Sequence, residues 1–448
     1  MYTHWDMFSA LREKINYYRS HRFVRNTAIL QAGSMFGNVL QAGAGIIMAR
    51  ILQPDAFGIY ALSFSLAGFI SIFLGVGAQD AVTTILGGAY ARKDEREIQD
   101  ALAFLAKITL IMGFVALIGA AIAPFIAQSL YGNSMIGWFA AVVVVASIIS
   151  TTAYSFSTIG LQISGRIQQM TLLGLGDQLL RSGFALSLVV AGFGVAGIVT
   201  GHFVGAAILC IVSVFVWKKL QRDFPILPHI RNLLVHMREI SVRRYLQFSF
   251  WIALDRNLSN LYNILPILLT GIYLAPSEVT FFKLAFGYIN LALGFLGPIG
   301  ILLNVEFPKM KEQGIERLSR NFDHVSLYAI GISAFLTLGA ALAAPIAFRL
   351  LYGPEFSQSV RYVYGLIPYG ALMGLGVGLG AMLRALNKVH VSIIMHVLNL
   401  AIGVPLGLFW IKHFGAWGTI GIVTAWYTIA HATVFVYMRR YLRHASIV

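Results

Sequence analysis

The chain reads as an all-α polytopic membrane protein, with about twelve transmembrane helices in two parallel six-helix lobes. Three observations predict this. Of 448 residues, 58% are hydrophobic and 11% charged, with a mean hydropathy of +0.75. A soluble protein of this length needs far more charge to cover its surface, so the solvent is lipid. Second, Ala123-Pro124 and Leu130-Tyr131-Gly132 return as Ala344-Pro345 and Leu351-Tyr352-Gly353, and the same offset carries Phe193-Gly194 and Gly197 onto Phe414-Gly415 and Gly418. One offset held over so much chain marks a duplicated bundle. Third, the basic residues between apolar segments fall almost entirely on one side.

The elements follow in order. Residues 1–26 are polar and basic (Arg12, Lys14, Arg19, Arg22, Arg25), and Phe8, Leu11, Ile15 and Tyr18 recur at helical spacing. This predicts an interfacial amphipathic tail, with no cleavable leader. Apolar segments near 27–52, 55–80, 100–128, 135–163, 168–192 and 195–217 are long enough to span a bilayer and form the N-terminal lobe, 27–217. A basic linker, 218–244, carries an amphipathic stripe of Ile226, Ile230, Leu233, Leu234 and Met237, which predicts that it lies along the inner leaflet. Segments near 245–272, 277–303, 325–348, 362–383, 389–411 and 416–438 form the C-terminal lobe, 245–438, and a basic tail closes the chain at 439–448. Six spans is an even number, so both lobes enter the membrane in the same sense, as parallel repeats.

The net charge of +15 is a topology signal. Twenty-five of the 33 Lys and Arg fall on the side of the termini, against Arg349, Arg361 and Lys412 opposite. The positive-inside rule therefore puts both termini in the cytoplasm, and nothing in this distribution calls for nucleic acid. The lone Cys210 excludes a disulfide within the chain and reads as a small buried hydrophobe.

Five basic residues remain inside predicted spans: Arg50, Lys107, Arg181, Arg256 and Lys283, with Asp177 and Asp255 at similar depth. A charge near the bilayer centre costs roughly 2.5–3.5 kcal/mol on insertion scales, so these groups must face a polar cavity or one another. Asp177 and Arg181 are four apart on one helical face and can pair as a structural clamp. Asp255 and Arg256 are followed by Asn257, Asn260 and Asn263, so that side of span seven does not face lipid. Lys107 is near enough to the cytoplasmic end to snorkel, whereas Arg50 and Lys283 add positive charge to the outer half. The excess of bases suits an anionic ligand, phosphate above all. Pro266, Pro298, Pro368 and Pro405 interrupt spans; Pro266, beside the charged cluster, marks span seven as the expected gate.

Other chemistry-like features have plainer readings. Gly374, Gly376, Gly378 and Gly380 lie mid-span without a preceding strand and read as close helix packing, and no phosphate-cradling loop is found. His202, His396 and His431 lack metal spacing and read as hydrogen-bonded bundle residues, with a proton carrier among them as the sharper alternative. A duplicated bundle with in-span charges points to a transporter and away from an enzyme.

The stretch from Met48 through Arg50-Ile51-Leu52-Gln53-Pro54-Asp55 and Phe57-Gly58-Ile59-Tyr60 to Leu62 resembles the junction of helices one and two in the polysaccharide transporter family. Leu351-Tyr352-Gly353-Pro354-Glu355-Phe356 and Arg384-Ala385-Leu386-Asn387-Lys388 are similar to the second half of that family. These are the lipid-linked oligosaccharide flippases of the multidrug/oligosaccharidyl-lipid/polysaccharide (MOP) exporter superfamily. The resemblance implies a two-lobed bundle working by alternating access. Its substrate would be undecaprenyl-diphosphate-linked repeat units of O-antigen or exopolysaccharide, moved across the bacterial cytoplasmic (inner) membrane. Arg256, Arg181, Arg50 and Lys283, with Asn257 and Asn260, would hold the diphosphate, and Asp177 and Asp255 would couple transport to a proton or sodium gradient. No bound cofactor or metal is expected. The partners expected are the lipid-linked oligosaccharide, membrane lipids, and polysaccharide polymerase and chain-length proteins. The competing readings are a multidrug and toxic-compound extruder, whose cavity should be acidic, and a membrane polysaccharide polymerase or glycosyltransferase, which should carry a large outer loop.

Overall fold

The computed structural model describes residues 22–74 and 78–445, and these are helical with no strand among them. The N-terminal lobe comprises α1 (Arg22–Ser71), α2 (Ala78–Arg92), α3 (Glu95–Tyr131), α4 (Ser134–Ile163), α5 (Ile167–Val190) and α6 (Gly194–Asp223). The linker forms α7 (Ile230–His236). The C-terminal lobe comprises α8 (Val242–Tyr273), α9 (Pro276–Leu293), α10 (Gly297–Glu312), α11 (Ile315–Leu351), α12 (Gln358–Gly365), α13 (Ile367–Leu372), α14 (Leu379–Ala385), α15 (Val389–Phe414) and α16 (Ala416–Ala445). Most of the tail expected over 1–26 lies outside the described residues.

Nine helical stretches among the described residues are long and apolar enough to cross a membrane. The first of them bends at Gln53 (φ 64°), ahead of Pro54, into two spans, and α5 and α8 add the two helices whose charges lower their apolarity. Twelve crossings result. The duplicated letters sit where chain direction reverses: Gly132 (φ 65°) and Gly353 (φ 108°) end α3 and α11, and Gly194 (φ 57°) and Gly415 (φ 58°) begin the last helix of each lobe. Only glycine adopts such angles without strain. The outer surfaces of α3 and α11 are apolar, with Phe125 76%, Phe335 76% and Leu342 81% exposed, as expected of faces solvated by lipid.

The linker packs against the N-terminal lobe. Leu227 and Leu233 are buried in the N-terminal lobe's core, His236 Nε2 lies 2.6 Å from Asp100 on α3, and Lys107 donates to the Ile240 carbonyl at 2.8 Å. Ile226 and Met237 pack against the same cluster while partly buried, and the Lys107 ammonium reaches toward the cytoplasmic end of the predicted orientation to linker carbonyls.

On the side remote from the termini, the outer side in the predicted orientation, the lobes share one core. Phe57, Leu62 and Leu66 of α1 pack in it with Phe282, Phe286 and Ile289 of α9. Gly58 lies so close to Pro276 that an added Cβ would stand 1.9 Å from its carbonyl oxygen, and Thr280 donates to the Pro54 carbonyl at 2.6 Å. On the inner side the core divides, one cluster around Leu102 and Trp217 and another around Phe307, Phe322 and Met382. The outer core is continuous across the lobes, and on the inner side Tyr245 of α8 still stacks on Phe104 of α3, ring centroids 4.9 Å apart.

Two breaks interrupt spans. A 3₁₀ turn at Gly294–Leu296 separates α9 from α10, and a matching 3₁₀ turn at Ile72–Leu74 follows α1 in the first lobe. The second break has no counterpart. The stretch Met373–Gly376 winds as 3₁₀, Val377 is extended and Gly378 is left-handed (φ 86°), so the tenth span is discontinuous, whereas its repeat mate α4 runs 30 residues unbroken. The glycine run does pack closely, since a Cβ on Gly374 would lie 2.2 Å from the Ala329 carbonyl oxygen. It also unwinds the helix, which the reading of simple close packing did not anticipate. By contrast α8 continues through Pro266.

Candidate functional site

In the N-terminal lobe, Asp177 and Arg181 face inward from α5. Arg181 Nε donates to Asp177 Oδ1, its Nη1 lies 2.7 Å from His202 Nε2 on α6, and its Nη2 donates to Ser150 Oγ on α4 at 2.8 Å. The fit is tight because α6 presents glycines there: a Cβ on Gly205 would lie 2.8 Å from the Arg181 Cα. The guanidinium is thus held by three helices of its own lobe, with its charge met by Asp177 at 17% and 25% side-chain exposure. Asp177 also lines a cavity of about 380 Å³ with Gln79, Tyr154, Thr158, Gln162 and Gln178.

In the C-terminal lobe, Asp255 Oδ1 lies 3.9 Å from His396 Nε2 on α15. Ser259, one turn on, donates to the Asp255 carbonyl at 2.9 Å and sits 3.3 Å from the same histidine nitrogen. His431 of α16 faces the same cavity, about 190 Å³, with Tyr262 and Tyr427. Among the described residues, Nδ1 of His396 and of His431 are buried without a hydrogen-bond partner. Spacing gave no hint of this cluster, because Asp255, His396 and His431 come from three helices far apart in sequence.

The remaining candidates are dispersed. Lys283 Nζ stands 4.6 Å over the Tyr60 ring and 5.7 Å over Phe57, so it joins the lobes at the outer closure instead of facing an open cavity. Asn257 donates to the Ile72 carbonyl at 3.2 Å, a contact between lobes at mid-depth. Arg256 and Asn260 are exposed on α8. Arg50 is exposed at the outer corner, where the Gln53 side chain caps its carbonyl at 2.8 Å. Arg181 and Lys283 are therefore held by different partners, the first within its own lobe and the second between the lobes.

A model of a family described as polysaccharide biosynthesis protein matches residues 47–361. The chain belongs to that family. Among curated proteins, none matches. Solved structures share the fold of this polysaccharide biosynthesis protein. A multidrug resistance MATE family transporter of the MOP superfamily, in an inward-facing conformation, superposes with a TM-score of 0.72 at 17% identity, over 91% of this chain and 95% of that one. The eukaryotic MATE transporter AtDTX14 gives 0.62 at 16% identity, over 95% and 99%. A MOP superfamily transporter from Pyrococcus furiosus, described as having a binding pocket of reverse polarity, gives 0.59 at 17% identity, over 95% and 96%. The protein is a multi-pass membrane protein with the MOP-type transporter fold.

Proposed function

We propose that this polysaccharide biosynthesis protein is a flippase. It moves undecaprenyl-diphosphate-linked repeat units of O-antigen or exopolysaccharide across the bacterial inner membrane by alternating access, with both termini cytoplasmic. The observation that supports this reading best is the core that the two lobes share on the outer side, together with a polar cavity built around buried charge within each lobe. A substrate headgroup enters from the cytoplasmic leaflet between the lobes, and its polyprenyl tail stays in lipid. Rocking of one lobe on the other then breaks the α1–α9 contact and exposes the headgroup outside. Asp255 with His396 and His431 forms the coupling element, because a carboxylate and two imidazoles around one cavity can exchange a proton as the lobe moves. Arg256, exposed beside Asp255, guides the headgroup inward.

Deletion of the gene, followed by measurement of lipid-linked sugars, tests the proposal. Undecaprenyl-diphosphate oligosaccharide should accumulate and be shielded from membrane-impermeant reagents added outside. An unchanged pool with altered sensitivity to cationic drugs would replace this reading with that of an extruder.

A further inference from the structure

The two helix breaks of the C-terminal lobe face each other. Leu296 and Gly297 of the ninth-to-tenth helix junction, and Gly376, Val377 and Gly378 of the unwound span, line one cavity of about 420 Å³. The size is that of a small-ligand pocket. Arg384 and Asn304 line it too. Arg384 lies near the inner end of α14 and is exposed at the cavity mouth, its guanidinium running back along the helix. Its Nη2 and Nη1 would lie 3.4 and 3.6 Å from a Cβ on Gly380, and Nη2 donates to Asn304 Oδ1 at 2.6 Å. Asn304 is in turn held by its own helix, its amide donating to the Gly300 carbonyl at 3.1 Å.

Three facts make this cluster a site. First, Arg384 has no carboxylate partner among the described residues, in contrast to Arg181 on Asp177. No acid is among the residues that line the cavity. Second, the lobes differ here. In the register set by the matching turns at Gly165 and Asn387, Arg384 corresponds to Gln162 and Asn304 to Val82, and the glycines of the break correspond to Thr152, Tyr154, Phe156 and Thr158 on an uninterrupted helix, so the position is polar in both lobes but cationic in the second alone. Structural needs common to both lobes would be met alike in both, so the cation and the break that gives it room serve something the lobes do not share. Third, His431 walls both this cavity and the one holding Asp255 and His396.

We propose that Arg384 and Asn304, at the break in the tenth span, form a subsite for a phosphate or diphosphate group. A guanidinium offers a fork of N–H donors matched to phosphate oxygens, and a neutral carboxamide beside it adds a donor without competing for the charge. The subsite rests on the flippase reading where the group is taken to be a lipid headgroup; the same chemistry would also fit a free anion.

The test uses the full-length protein in nanodiscs, with undecaprenyl diphosphate in one arm and inorganic pyrophosphate in the other. Binding is compared for the wild type, R384Q, N304A and R349Q, the last lying on the outer side. Monodispersity and thermal unfolding confirm that each variant is folded. The expected result is a loss of at least tenfold in undecaprenyl diphosphate affinity for R384Q, a smaller loss for N304A and none for R349Q. Arg384-dependent binding of pyrophosphate equal to that of the lipid would support the subsite and count against the flippase reading. Equal lipid affinity in wild type and R384Q would overturn the subsite while leaving the flippase reading intact. Failure of the wild type to bind either probe would also overturn the subsite, and the lipid-linked sugar pool would still judge the flippase independently.

Discussion

Gly58→Ala puts one methyl group into the outer closure. In the closed arrangement its Cβ would stand 1.9 Å from the Pro276 carbonyl oxygen and 2.4 Å from the carbonyl carbon, backbone atoms that no side-chain rotation can move. To reach even the tightest real contact, near 3.0 Å, the two helices must separate by about 1.1 Å along that line. Overpacking of this kind costs about 1–3 kcal/mol. The strain exists only while the lobes touch, whereas the gain in helix propensity from glycine to alanine is present in both states and cancels. The ratio of outward-open to outward-closed protein should therefore rise roughly five- to 150-fold. The assay is double electron–electron resonance between spin labels at Gln128 and Glu355, on outer turns of the two lobes, after the single Cys210 is replaced by serine. A longer-distance population should appear or grow in Gly58→Ala. Gly43→Ala on the same helix is the control, because its Cβ would meet nothing within 4 Å. Identical distance distributions for wild type and Gly58→Ala, in folded protein, would refute the argument that the α1–α9 contact is half of a two-state element.

Further changes probe the charges. Lys283→Met keeps the packing stem but removes a cation–π contact between lobes worth about 0.5–2 kcal/mol, so the same resonance experiment should show a smaller shift in the same direction as Gly58→Ala. Asp177→Asn leaves Arg181 without its carboxylate, and breaking a buried pair costs about 3–5 kcal/mol, less here for the remaining exposure. Membrane levels of the single mutants should fall further than those of Asp177→Asn with Arg181→Met, and additive losses would show that the residues act separately. Arg256→Ala should abolish surface polysaccharide while the protein stays in the membrane; normal polysaccharide would remove Arg256 from the proposed path. Asp255→Asn should leave undecaprenyl diphosphate binding in place and abolish transport driven by an ion gradient in proteoliposomes, and intact driven transport would dismiss it from coupling.

Legibility from sequence differs by the range of the forces involved. The fold was legible because its signals are local or repeated. Apolar runs declare lipid, and the glycines of the recurring Leu-Tyr-Gly are needed at left-handed turns wherever the repeat puts them, as at Gly132 and Gly353. The pairing of Asp177 with Arg181 was legible because four residues make one helical turn. His202 beside Arg181 and His396 beside Asp255 were not, since each contact is made between helices whose rotation no single segment reveals. Arg384 was hidden differently. Its position near a span end reads as a cytoplasmic anchor, and only the left-handed turn at Gly378, with the unwound residues before it, opens the cavity that the side chain borders.

The charges inside the bundle separate by partner, and this bears on how one chain can be both stable and mobile. Arg181 is met by a carboxylate within its own lobe, so its energy is unchanged when the lobes rock as rigid bodies. Lys283 is met by aromatic rings of the opposite lobe, and Asn257 by a carbonyl of the opposite lobe, so both would lose these contacts in the proposed outward opening. An ammonium left at that depth must be rehydrated or find an anion. The proposed opening would therefore become easier once water or the proposed headgroup fills the space between α1 and α9. That dependence is what a carrier needs, because an empty protein that opened as readily as a loaded one would cycle without moving its substrate.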